Sequence, residues 1–169
     1  KGWSMMLHGQ KSTKLQISWG ALRTTTIHTS ATATSGTVSA SSEYSTTYEA
    51  WKAFDDTTGT TLWATSSGAP GWIQYDFTET IKLESFRIKV NNESIDNNPK
   101  DFTIQAWDGS WNTIKTVTNN PAGTLDTWQS LITIPIPITC TKIKMDVTSV
   151  NGGSYVELGH FELNYREQL

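Results

Sequence analysis

Four separate stretches of the chain alternate apolar and polar residues with a period of two. Ile73, Tyr75 and Phe77 alternate with Gln74 and Asp76, and Phe86, Ile88 and Val90 with Arg87 and Lys89. Phe102, Ile104 and Ala106 alternate with Thr103 and Gln105, and Ile143, Met145 and Val147 with Lys144 and Asp146. Successive side chains of a strand point to opposite faces, so each stretch predicts a strand with one dry and one wet side. Such strands belong to antiparallel sheets. No long helical stripe competes with them, which makes the chain all-β.

Turn chemistry falls between these runs. Asp108-Gly109-Ser110 predicts a hairpin, and Asn119–Gly123 and Asn151-Gly152-Gly153 predict two further connections. Pro135 and Pro137 remove two ladder donors, so IPIPIT is read as an edge or a crossing segment. In YVELGHFELNY the alternation changes phase at Gly159-His160, which reads as a β-bulge. Many short strands with regular turns imply a sandwich or jelly roll. The first 33 residues differ: one strand-like run, Leu15–Trp19, precedes a Thr/Ser-rich stretch. They are read as the tail of a preceding domain plus a linker, or else as an extra strand packed on the sandwich. The chain opens on Lys1 and is read as a piece of something longer.

A net charge of −3 gives none of the basic footprint that nucleic acid or an anionic membrane surface selects. No apolar run is long enough to span a bilayer. The single cysteine, Cys140, makes no internal disulfide and reads as a small buried hydrophobe. Eight tryptophans with only 17% charged residues suit a neutral, hydrogen-bonding ligand, although strands favour Thr and aromatics in any case.

The sequence offers no catalytic pattern. His8, His28 and His160 are scattered, and neither a nucleophile elbow nor a phosphate-binding glycine motif is present. The carboxylate pairs Glu79/Glu84 and Glu157/Glu162 sit where solvated strand faces are expected. Between Ala40 and Thr65, an apolar anchor of Trp51, Ala53 and Phe54 leads into a loop dense in side-chain oxygens. Asp55, Thr57 and Thr60 there could serve a hard cation such as calcium or simply cap an ordinary turn.

The segments ASSEYSTTYEAWKAFDD, TTLWAT, GWIQYDF, ESFRIKV, DFTIQAW, KIKMDVTSVNGGSYVEL and FELNY together resemble the discoidin, or coagulation-factor C-type, domain superfamily. Within it they look most like family-32 carbohydrate-binding modules. The resemblance spans about residues 34 to 165 and leaves 166–169 as a tail. It implies an eight-stranded antiparallel β-sandwich jelly roll and a non-catalytic carbohydrate-binding function. A structural calcium is implied beside the AFD loop, on the Lys52 carbonyl, Asp55, Thr57 and Thr60; His160 stands where the pattern has Glu, and Thr57 where it has Asp or Asn.

The implied sugar site lies on the loops 42–51, 91–100 and 150–155. These offer Glu43, Tyr44, Tyr48, Asn91, Asn92, Glu93 and Tyr155. An aromatic face covers the C–H face of a sugar while amides and carboxylates pair with its hydroxyls. The His and Arg that often hold galactose in such modules are not evident in these loops. Trp51 is read as core, and Trp107 and Trp111 as a pair packed across a hairpin. LQISWG is similar to short segments near domain ends in tailed-phage fibre and baseplate proteins. On that likeness the expected partner is a glycan or polysaccharide and the expected place is extracellular or on a virion surface. A homo-oligomer built through a larger parent protein would raise weak affinity by multivalency. The alternative readings are a structural or protein-interaction sandwich, and an accessory domain of a glycoside hydrolase.

Overall fold

The computed structural model describes residues 17–25, 27–55 and 61–169. In chain order the strands are β1 (Arg23–Thr24), β2 (Thr32–Ala33), β3 (Gly36–Ala40), β4 (Trp63–Ala64), β5 (Gly71–Lys89), β6 (Pro99–Trp107), β7 (Trp111–Val117), β8 (Ile132–Thr133), β9 (Thr139–Val150), β10 (Glu157–Leu158) and β11 (His160–Glu167). The described helix is confined to two short 3₁₀ segments, Ala50–Phe54 and Ile95–Asn97.

The pivot is β5. The alternating runs at 73–77 and 86–90 predict separate strands, but the structure joins them into one strand of 19 residues. Its first half lies between β3 and β9, where Tyr75 faces Val38 on one side and Ile143 on the other. Its second half lies between β11 and β8, with Phe86 opposite Leu163 and Ile132. The pairing with β9 shifts register between Asp76 and Ile81, so one strand bends from one layer of the sandwich into the other. The first layer continues through β9, β6 and β7, all antiparallel.

The dry faces of these strands meet in one core. Ile73, Tyr75, Leu83, Phe86, Phe102, Ile104, Ile143, Met145, Phe161 and Leu163 are fully buried there. The four alternating stretches thus point where their period demands. Trp51 is half-buried against this core, and Trp107 pairs with Trp111 across the hairpin with ring centroids 5.4 Å apart. Cys140 is buried and its thiol is pushed up to about 12, chiefly by burial. Pro135 and Pro137 fall between β8 and β9, in the crossing segment.

Gly159-His160 is not a bulge. There the chain leaves β10, which pairs with β4, and enters β11, which pairs with β5. The phase changes because the strand changes sheets. A Cβ on Gly159 would sit 2.8 Å from the Val90 carbonyl oxygen, so the crossing passes too close to β5's end for a side chain. The actual register shift on β11 lies between Asn164 and Tyr165.

Of the run Leu15–Trp19, Leu15 and Gln16 lie outside the described residues; Trp19 makes an isolated bridge to Gln168. Beyond it, β1 lines the edge of β11, and His28 is 1% exposed with its Nε2 2.9 Å from the Tyr75 hydroxyl.

Candidate functional site

The short β4–β10 sheet carries a cleft of about 180 Å³, lined by Tyr44, Tyr48, Ala64, Glu93, Tyr155 and Glu157. Three loops meet there. The first, after β3, is tied to β4 by Tyr44 N–H donating to the Ala64 carbonyl (2.8 Å) and Ala64 N–H to that of Tyr48 (3.3 Å). Lys52 Nζ holds the same loop from outside, donating to the carbonyls of Thr46 (2.8 Å) and Thr47 (2.7 Å).

The second loop follows β5. Asn91 is buried, and its Oδ1 accepts the N–H groups of Glu93 and Ser94 at 2.7 Å each, while its Nδ2 donates to the Ser94 carbonyl at 2.8 Å. This Asx-type arrangement fixes the turn that presents Glu93. The third loop precedes β10. Asn97 Oδ1 accepts the N–H groups of Ser154 (3.0 Å) and Tyr155 (3.3 Å), and Gly153 N–H donates to the Asp96 carbonyl (2.9 Å).

The walls are aromatic and the floor is acidic. Tyr44, 53% exposed, stands edge-on to both neighbours, with centroids 5.6 Å from Tyr48 and 5.2 Å from Tyr155. The Tyr48 hydroxyl donates to Glu93 at 3.1 and 3.3 Å, which raises its pKa, chiefly through that bond to the carboxylate. At the floor Glu157 is only 6% exposed, opposite Ala64. Burial pushes its carboxyl up to about 7, against the opposing pull of a hydrogen bond from Asn97 and with help from the nearby charge of Glu93. Its Oε2 is buried without a hydrogen-bond partner.

Of the sequence-predicted residues, the cleft gathers Tyr44, Tyr48, Glu93 and Tyr155. Asn91 is turned into its own loop. Glu43 Oε1 accepts the Ala50 N–H (2.8 Å) at the start of the first 3₁₀ segment. Asn92 is half-buried and is not among the lining residues. The residue that sequence reasoning missed is Glu157. Its pairing with Glu162 as a solvated couple is wrong: Glu162 faces outward in a bidentate pair with Arg87 (2.9 and 2.7 Å), and Glu157 faces the cleft. The available signal was the phase change at Gly159, which places Glu157 on the inner side of a different sheet.

A larger hollow of about 600 Å³ lies beside Trp107, Asp108 and Cys140. Asp108 is committed to its hairpin, accepting from Asn112 Nδ2 at 2.8 Å, and the Cys140 thiol is held protonated. The smaller cleft has the convergent polar groups that mark a ligand site.

Around the oxygen-rich loop, Asp55 is buried and accepts from the Thr61 hydroxyl at 3.0 Å. Thr57 and Thr60 lie outside the described residues. His160, at the place of the expected carboxylate, packs edge-on to Trp128 with centroids 5.1 Å apart. An imidazole is a poor ligand for a hard cation. Among the described residues no group of three or more His, Cys, Asp or Glu converges on a metal position. Of the implied calcium ligands, the described residues supply the Lys52 carbonyl and the buried Asp55 carboxyl.

The sequence profile of the F5/8 type C domain matches residues 37–159. The chain belongs to this family. Solved structures share the fold of this F5/8 type C domain. An F5/8 type C domain from Bacteroides fragilis superposes with a TM-score of 0.66 at 20% identity, over 79% of this chain and 93% of that one. The family 32 carbohydrate-binding module of NanJ from Clostridium perfringens, in complex with galactose, gives 0.62 at 20% identity, over 76% and 93%. Chitosan-binding module 2 of a Paenibacillus chitosanase/glucanase, in complex with chitotriose, gives 0.61 at 20% identity, over 76% and 95%. No curated protein sequence matches the chain.

Proposed function

We propose that this F5/8 type C domain is a non-catalytic carbohydrate-binding module whose ligand sits in the tyrosine-walled cleft. The observation that carries the reading is the meeting of Tyr44, Tyr48 and Tyr155 with Glu93 and Glu157 in one concave site. Aromatic faces and acceptor oxygens are the two halves of sugar recognition, and either alone gives weak, unselective contact. The bound galactose and chitotriose of fold relatives support the same class of ligand. The module then serves adhesion to cell-surface glycan or polysaccharide, outside the cell or on a virion, as part of a larger phage or secreted bacterial protein.

A glycan array of the intact chain tests this. A defined set of hits is expected, and Tyr44→Ala or Tyr155→Ala should weaken them at least tenfold, the loss of about 1.4 kcal/mol of contact. Their circular dichroism should stay unchanged, because Tyr44 is exposed and Tyr155 is only half-buried. Full binding by both variants would sink the site. A calcium ion on the Lys52 carbonyl, Asp55, Thr57 and Thr60 is tested in the same assay. Calcium should raise the melting temperature and chelator lower it if the loop holds the ion; equal melting curves reject it.

The second reading, a protein-interaction sandwich, draws on Leu131 and Ile136, large apolar side chains exposed near the β8–β9 crossing. It predicts an empty array and a partner footprint on that crossing.

A further inference from the structure

Resting on the carbohydrate reading, we propose that the cleft selects a sugar bearing a free ammonium group, such as the glucosamine units of a deacetylated polysaccharide, over neutral and N-acetylated sugars. Three observations carry this. The cleft holds two carboxyl groups, Glu93 at the rim and Glu157 at the floor, and its described lining includes no Lys, Arg or His. The Oε2 atom of Glu157 is buried and has no hydrogen-bond partner. The walls include three tyrosine rings, with Tyr44 nearly perpendicular to both Tyr48 and Tyr155.

Each feature asks for a cation. A buried acceptor without a donor costs about 1–3 kcal/mol, and any N–H or O–H would relieve it. A sugar hydroxyl, however, would leave the Glu93 carboxylate uncompensated and give Glu157 no reason to ionise. An ammonium supplies three donors and the opposite charge together. Tyrosine faces add a cation–π attraction that an acetamide cannot draw on. Burial and the neighbouring Glu93 hold Glu157 near neutrality in its charge balance, at about 7, so an arriving cation shifts it to the ionised form. An N-acetyl group would instead place a bulky neutral amide against a carboxyl that Asn97 already fixes.

The ligand is a chain rather than one ring. Glu93 also borders a second hollow of about 480 Å³, with Ile95, Thr124 and Leu125 on its other sides. A unit seated by its amine on Glu157 would leave its neighbour over that apolar shelf.

The test is calorimetric titration of the intact chain with the trimer of glucosamine and with the trimer of N-acetylglucosamine. The glucosamine trimer should bind at least tenfold more tightly, and Glu157→Gln should reduce the difference to less than threefold. Glu93→Gln should mainly flatten the salt dependence, because Glu93 is exposed. Tyr44→Ala should weaken both trimers together. Equal or tighter binding of the N-acetylated trimer, or a preference that survives Glu157→Gln, would overturn the ammonium selection. If neither trimer binds while the array still returns neutral sugars, the selection is wrong and the carbohydrate reading stands. If the array is empty as well, both are wrong.

Discussion

Glu157 carries a stability consequence of its own. Its folded pKa, about 7, lies above the model-peptide value of 4.5 because burial penalises the charge. The folded state therefore holds a proton that the unfolded chain has released between these two values. Stability from this group is full below pH 4.5 and is lost as pH rises through about 7. The loss is on the order of 1–3 kcal/mol, since one pKa unit is worth about 1.4 kcal/mol. Glu157→Gln should remove this slope, read as urea midpoints at pH 5 and pH 8. The groups facing Glu157 are Glu93 and the hydroxyls of Tyr44, Tyr48 and Tyr155, and none adds a positive charge to cancel the effect. A wild-type midpoint that does not fall with pH relative to the variant would contradict the assignment. Nothing in the alternation of YVELGHFELNY distinguishes Glu157 from a wet-face glutamate until the strand is known to change sheets. Tyr44, Tyr48, Glu93 and Tyr155 were legible only through the family resemblance, which implies the loops that carry the site; the strand pattern alone does not bring those loops together.

At the scale of elements, the third loop depends on Gly153. A Cβ there would overlap Asn97 Oδ1 and lie 2.9 Å from the Asn97 backbone nitrogen. Gly153→Ala must push Asn97 away, and Asn97 both receives the N–H groups of Ser154 and Tyr155 and hydrogen-bonds Glu157. We expect a stability loss of roughly 1–3 kcal/mol from overpacking, with a parallel drop in glycan affinity. Gly152→Ala meets open space and is strained only by its φ of +125°, so it should perturb the cleft less. Chemical denaturation and titration of both variants separate the two; equal effects would show that the turn, not the Asn97 contact, matters. The strands themselves were readable because period-two burial is set residue by residue, as at Ile143, Met145 and Val147 on β9. What one strand pairs with was not readable. The continuity of β5 across Thr78–Thr80, with few apolar residues to mark it, arises from neighbours far along the chain: β3, β9, β11 and β8.

At the scale of the whole molecule, the open question is where the domain begins. The family match starts at residue 37, and the hydroxyl-rich run before it reads as a linker. Yet His28 lies inside, its Nδ1–H donating to the Ser30 carbonyl (3.0 Å) and its Nε2, in the neutral ring, accepting from the Tyr75 hydroxyl (2.9 Å), with its ring 5.9 Å from that of Phe54. Its main-chain N–H donates to the Phe54 carbonyl at 3.0 Å, beside the Asp55 loop. Burial lowers the His28 pKa below 6.5, so the neutral ring is the folded form. The unfolded chain takes up the proton first as pH falls, and the stability from this group is present above 6.5 and lost below it. That is the opposite sign to Glu157, and the two windows overlap below 6.5. The wild-type pH profile should thus look flatter than that of either variant, with His28→Ala steepening the fall toward alkaline pH and Glu157→Gln steepening the fall toward acid. His28→Ala should cost roughly 2–4 kcal/mol, a cavity term plus an altered Tyr75 hydrogen bond. Removal of residues 1–33 should cost more, because it also strips β1 from the edge of β11. The surface pair of Arg23 with Glu167 at 2.9 Å contributes little to that difference. If the shortened chain melts with wild-type, the segment is a linker and the sandwich begins at β3. If it melts as low as or below His28→Ala, the arm is part of the fold, and its buried histidine is what ties it in.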